Sequence, residues 1–170
     1  EFLRSLFRSD ILPALTPIAM DGPQADTLLP GLTLNLAALL SVAGDEDTEQ
    51  QRQERLVVVP VPSSLPRFYQ VPASSGVHLI ALEQIVAENL AELFPGVPIE
   101  AHAVFRITRD ADVPVDSEDA REFLEVMEQA VRARTRRAAV RLSISAGADA
   151  RIRRRLMEQF DVTRQNVFEV

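Results

Sequence analysis

The stretch Phe105-Arg106-Ile107-Thr108-Arg109-Asp110-Ala111-Asp112 decides how this chain is read. Phe105 and Ile107 have strand parity and belong to one face, which the apolar residues assign to the core. Arg106, Thr108 and Asp110 then share the opposite face. Arg109 has core parity, and a bare buried charge costs several kcal/mol. It must therefore stand past the end of the sheet or meet a carboxylate, and Asp110 and Asp112 are nearest. Two arginines thus leave one strand on opposite sides beside two aspartates. Such a corner reads either as a structural ion-pair knot or as an anion or domain-docking site, and the eight residues leave both open.

Outward from this corner, Ile99 to Arg109 is a central strand. Leu82 to Phe94 precedes it as a helix: Leu82, Ile85, Val86, Asn89, Leu90 and Leu93 follow helical spacing, Glu83, Glu88 and Glu92 lie off the stripe, and Pro95-Gly96 stops it. Ser117 to Arg134 follows as a second amphipathic helix, with Asp116 or Ser117 as cap. Ala138 to Ser145 alternates again, with Val140, Leu142 and Ile144 expected inward and Arg141, Ser143 and Ser145 outward. Asp149 to Phe160 is a third helix carrying Ile152, Leu156, Met157 and Phe160 inward, and Asn166 to Val170 starts a last strand. Nearer the beginning, Glu1 to Leu15 is helical until Pro13 and Pro17 break it. Asp21-Gly22-Pro23 turns. Leu32 to Val42 has strand spacing, apolar on both faces at its end. Gly44 to Glu54 reads as a solvated loop. Leu56 to Val61 is a continuous run typical of a strand buried on both sides, which Pro60 and Pro62 end or place at an edge. Leu65 to Val71 is extended, and Ala73 to Gly76 turns. The pattern predicts a single α/β (α+β) domain, residues 1–170, with a mixed sheet layered with helices.

Composition narrows the chemistry. The chain has no cysteine, which excludes disulfides, thiolate catalysis and sulfur-based zinc sites and fits a reducing compartment. No apolar run is long enough to span a membrane, and no signal-peptide pattern appears; a cytoplasmic location is the expectation. The opening Glu1-Phe2-Leu3 without methionine reads as a piece of something longer. The net charge is −7, yet Arg132 to Arg155 holds nine of the eighteen basic residues against one acid, Asp149. All eighteen are arginine, a planar fork suited to phosphate or carboxylate.

Enzyme constellations are largely missing. His78 and His102 are the only histidines, and no nucleophile pairs with either. The six glycines form no phosphate loop. Asp110 with Asp112, or Asp116 with Asp119, lacks a third ligand at metal spacing, so no metal is expected. Arg151, Arg153, Arg154 and Arg155 crowd a helix start, against the macrodipole and with a like-charge pair one turn apart. Either acidic neighbours or a polyanion would offset that arrangement, with Arg136, Arg137 and Arg141 close in sequence. No aromatic interleaves the cluster, so base stacking, and with it sequence-read nucleic acid, is not expected. A phosphate chain fits better.

The order of motifs resembles one family, the head (middle) domain of class 1 polyphosphate kinase. Leu12-Pro13-Ala14-Leu15-Thr16-Pro17, Asp21 and Leu34-Asn35-Leu36 are similar to its opening. Pro66-Arg67-Phe68-Tyr69 matches its P-R-F segment, and Leu82-Glu83 through Asn89-Leu90 to Phe94-Pro95-Gly96 its L-E…N-L…L-F-x-G helix. Phe105 to Asp112 matches its F-R-x-T-R-D-A-D corner and Val140-Arg141-Leu142 its V-R-L strand. The resemblance spans nearly the whole chain. Departures are Gly22 to Gly31, which lacks an H-P-F-P-like segment, Ala138 in place of a glycine, and Ser143 in place of a common Glu.

The resemblance implies a parent enzyme that transfers the terminal phosphate of ATP to polyphosphate, with magnesium and a phosphohistidine. It also implies that the catalytic histidines lie in other domains, so His78 and His102 inherit no such role and the fragment alone is inactive. The implied role is a non-catalytic one, in dimerisation and in the wall of the ATP/polyphosphate channel. Arg106, Arg109, Arg141, Arg153, Arg154 and Arg155 are the candidate polyphosphate contacts, with Asp110 and Asp112 as structural ion-pair partners. Implied partners are other domains of the same chain, a second copy and polyphosphate. The competing reading is a stand-alone α/β adaptor that binds a polyanion or a protein without catalysis.

Overall fold

A computed structural model describes residues 2–21, 29–43, 52–72, 74–110 and 138–170. Its centre is a six-stranded mixed sheet in the order β1-β3-β2-β6-β7-β8. These are β1 (Ile18–Ala19), β2 (Leu34–Ala43), β3 (Arg52–Pro60), β6 (Ile99–Arg109), β7 (Ala139–Ile144) and β8 (Val167–Glu169). All neighbours run antiparallel except β7 and β8, which are parallel. A parallel pair needs a crossover, and helix α4 (Ala150–Phe160) supplies it. A separate hairpin pairs β4 (Phe68–Val71) with β5 (His78–Ala81).

Helices cover the two faces unequally. On one face, Ile152, Leu156 and Phe160 of α4 pack on Ala37, Leu39, Leu56, Val58, Phe105, Ile107, Leu142 and Ile144. On the other, Phe7 and Ile11, in the turn that continues α1 (Phe2–Leu6), and Leu82, Ile85, Val86 and Leu90 cover Leu36, Ala38, Leu40, Val57 and Val59. Leu82, Ile85 and Val86 come from α2 (Leu82–Glu88) and Leu90 from α3 (Leu90–Leu93). The strands β2 and β3 are therefore buried on both sides, which is why their apolar runs are continuous rather than alternating. On the second face this cluster reaches β6 only at Ile99 and Val104, and the rest of β6 with β7 and β8 exposes Arg106, Arg141 and Phe168.

Several expectations need correction. The run Leu82 to Phe94 is two short helices, because Asn89 leaves the helical conformation and its Nδ2 donates to the Ile85 carbonyl at 2.8 Å. A side chain that bonds the backbone of the preceding turn competes with the helix in this way. Residues 52–54 are not loop but the start of β3, and Glu54 binds α4. Of the two readings of Pro60 and Pro62, the first holds: β3 ends at Pro60, and the two-residue β1 pairs with it only at Val57 and Val58. Val140 does not point inward. The register jumps from Thr108↔Arg141 to Arg109↔Ala139, so Val140 is an extra bulge residue and is 43% exposed. The two-residue β1 and the strand β5 have no counterpart in the sequence reading. The predicted helix Ser117 to Arg134, and the parts of the predicted loop and turns at 22–23, 44–51 and 73, lie outside the described residues. Among the described residues no helix is long and apolar enough to cross a membrane.

Candidate functional site

Strand alternation places Arg106 and Thr108 on the face that the helices leave uncovered. The register sets Arg106 opposite Ser143 and Thr108 opposite Arg141, so all four side chains share that face. The Arg141 guanidinium carbon lies over the Phe168 ring, 4.1 Å from its centroid, and its Nε donates to Ser143 Oγ at 3.2 Å. Neither contact cancels its charge. The Arg106 side chain is exposed and makes no hydrogen bond or ion pair to a described residue. His102, of the same parity, is exposed too. Across the cleft stands Arg67, at the foot of the β4–β5 hairpin. It donates to Glu83 Oε1 at 3.1 Å, which leaves it partly neutralised.

Arg109 goes the other way, as its parity requires. It is 9% exposed, at the end of β6 beneath α4. Its Nη2 donates to the Leu29 carbonyl at 3.5 Å, and its guanidinium lies 5.8 Å from the centroid of the Phe160 ring. Gly31 sits against its stem: a Cβ there would stand 3.7 Å from the Arg109 Cβ and Cγ. Arg106 and Arg109 are therefore separated by the thickness of the sheet, and one bound chain cannot touch both from the same side. Asp110 is exposed, and its N–H donates to the Ala138 carbonyl at 3.1 Å. Asp112, Arg136 and Arg137 lie outside the described residues.

The arginines of α4 have carboxylate neighbours. Asp149 caps the helix by accepting from the Arg151 N–H at 2.8 Å, and it takes two guanidinium bonds from Arg151, at 3.1 and 3.0 Å. Glu54 pairs with Arg151, and Arg155 reaches both the Glu54 carbonyl at 2.8 Å and its Oε2 at 3.4 Å. Arg153 pairs with Glu169 of β8, and Arg154 approaches Glu158 at 4.0 Å. The hydrogen bond to Asp149 is the main cause that holds Arg151 above its ordinary guanidinium value, and the same bond holds Asp149 below the ordinary carboxylate range. The crowd that defies the macrodipole is thus offset within the molecule, by an acid from β3, one from β8 and its own cap.

The structure consequently sorts the six candidate arginines by location. Arg106 and Arg141 share the open sheet face without a carboxylate partner among the described residues. Arg109 is buried behind them. Arg153 and Arg155 are tied to acids, and Arg154 is the outermost of the helix cluster. Sequence reasoning did not single out Arg67, Phe68 or Glu83 as site residues, although Arg67 and Phe68 sit in a motif it quoted; only the hairpin brings them beside Arg106.

A family model described as the polyphosphate kinase middle domain matches residues 1–170. The chain is 38% identical over 99% of its length to a polyphosphate kinase of Thermosynechococcus vestitus, of which it covers 23%. It is 36% identical over its whole length to one of Aphanizomenon baltica, covering 45% of that protein, and 35% identical over 99% of its length to one of Bacillus cereus, covering 24%. It spans less than half of each of these relatives. The fold is similar to that of a polyphosphate kinase from Porphyromonas gingivalis, with a TM-score of 0.70 at 21% identity, over 99% of this chain and 22% of that one.

Proposed function

The chain belongs to the polyphosphate kinase middle-domain family, and from that premise we propose that it is a non-catalytic module of a larger phosphotransferase. In this reading it helps two copies associate and forms part of the wall along which ATP and polyphosphate lie, while other domains carry the phosphohistidine chemistry. The observation that carries it is the pair Arg106 and Arg141, two charged forks on one sheet face of a protein whose net charge is −7. A net charge of −7 opposes a polyanion on average, so binding needs such a local patch. The chain's own residues would bind and guide the substrate, and in this reading none of the described ones receives a phosphoryl group. His102 shares the Arg106 face but pairs with no carboxylate or other activating group among the described residues. Magnesium, which the resemblance implies for the parent enzyme, finds no donor set here: among the described residues no three His, Cys, Asp or Glu side chains converge. No step through a metal is assigned to this chain.

The test is a long-chain polyphosphate titration of the full-length protein at low and moderate salt. Three proteins are compared: wild type, Arg106→Ser/Arg141→Ser, and Arg153→Ser/Arg154→Ser/Arg155→Ser. Displaced counterions make binding fall steeply with salt, and each lost phosphate contact flattens that slope by about 0.7–0.9. The double variant is expected to lose more affinity and more slope than the triple variant, whose arginines already hold carboxylates. Equal binding by all three would remove both patches from the substrate path.

A further inference from the structure

The β4–β5 hairpin and α2 face the open half of the sheet across a cleft of about 580 Å³. That is the size of small-molecule sites in general. Its lining has two unsatisfied ends. At one, Arg106 projects from β6 with no described partner. At the other, the Phe68 ring is 56% exposed, with the Arg67 guanidinium 5.5 Å from its centroid. Between them the floor is apolar, from Leu34 and Val104, and Ser143 adds a hydroxyl.

A scattered exposed phenylalanine needs no explanation. Here, however, the ring and the unpartnered guanidinium line one cavity, and each sets a separate demand on what fills it. An apolar molecule would bury the Arg106 charge without a counterion, which is costly. A bare inorganic anion would satisfy Arg106 and leave the ring and the Leu34–Val104 floor wet. A wholly cationic ligand would face two arginines. Glu83 lines the cleft as well: Arg67 engages its Oε1 and offsets its charge, while its Oε2 is buried without a hydrogen-bond partner. What remains is a molecule with one flat apolar part and one anionic group.

We propose that this cleft is a binding site for a small organic anion, whose ring rests on Phe68 and whose phosphate or carboxylate is held by Arg106. The site goes beyond the polyphosphate reading, since an inorganic chain has no use for the ring.

The experiment uses the full-length protein and three probes, phenyl phosphate, benzoate and inorganic phosphate, titrated by calorimetry into wild type, Arg106→Gln and Phe68→Ala. Both substituted residues are exposed, so the fold survives, and matching thermal melts verify it. Phenyl phosphate or benzoate is expected to bind wild type at least about tenfold more tightly than inorganic phosphate, from one stacked ring. Preference between the two organic probes assigns the anionic group as phosphate or as carboxylate. Arg106→Gln should weaken the preferred probe about tenfold, as loss of a charge-assisted hydrogen bond requires. Phe68→Ala should weaken that probe by a similar factor and leave inorganic phosphate and polyphosphate binding unchanged. Ring-bearing probes that bind no better than inorganic phosphate, or that bind Phe68→Ala as well as wild type, would overturn the proposal. Since polyphosphate binding does not depend on Phe68, failure here and failure of the polyphosphate reading are told apart by that variant.

Discussion

Phe160 is the side chain whose loss should be felt at both the core and the charged corner at the end of β6. It is 4% exposed, its ring centroid lies 6.1 Å from that of Phe105 with the planes tilted by 47°, and the Arg109 guanidinium rests 5.8 Å from it. Truncation of such a residue to alanine costs about 3–5 kcal/mol, transfer and cavity terms together. The aromatic pair accounts for about 0.5–1.5 kcal/mol of this and the cation–π contact for about 0.5–2 kcal/mol. For a domain of this size, about 2–4 °C per kcal/mol puts the drop in melting temperature at about 6–20 °C. Urea denaturation of Phe160→Ala, followed by circular dichroism, measures the total. A double-mutant cycle with Phe160→Leu and Arg109→Met isolates the arginine–ring coupling, expected at about 0.5–2 kcal/mol. A loss below about 1 kcal/mol for Phe160→Ala would mean that α4 is not anchored through this ring. A coupling of zero would mean that the ring does nothing to keep Arg109 beneath the helix.

Two further outcomes follow from the ion pairs. Glu54→Gln removes the charge that Arg151 and Arg155 share, and it should lower the melting temperature by about 2–4 °C in low salt. That deficit should shrink as salt rises; a deficit constant in salt would point to lost packing instead. Hydrogen bonds from Arg8 and Arg4 hold Glu92 below its ordinary value of 4.5, and Arg151 holds Asp149 below 3.8. Depressed folded-state values mean that both groups bind protons more readily when unfolded, so their stabilisation is complete above these ordinary values and is lost as pH falls through and below them. Melting temperatures measured from neutral pH down to pH 3 should therefore fall less steeply for Glu92→Gln than for wild type, and identical slopes would refute the role of the Arg4–Glu92–Arg8 bridge.

The sequence alone carried the central strand, whose predicted bounds match β6, together with α4 and the mixed α/β layering. Long runs with a clear period make these legible: Phe105, Ile107, Ile152, Leu156 and Phe160 are each buried where their spacing put them. It also carried the opposed directions of Arg106 and Arg109, because strand parity is geometric and independent of the fold around it. It identified the family as well, since the ordered motifs lie along the chain. What only the tertiary structure decided is where charge is cancelled. Glu54 meets Arg155 across 101 residues, and Arg153 meets Glu169 through the β7–β8 crossover. No local pattern contains such pairs, so an arginine cluster that looks unbalanced along the chain is balanced in space. The same holds for the cleft. Arg67 and Phe68 line one cleft with Arg106 although nearly 40 residues separate them, and that arrangement rests on where the β4–β5 hairpin stands beside α2 and on which strands neighbour which. The bulge at Val140 belongs there too, because a one-residue insertion in a register is a property of two strands together and is invisible in either one.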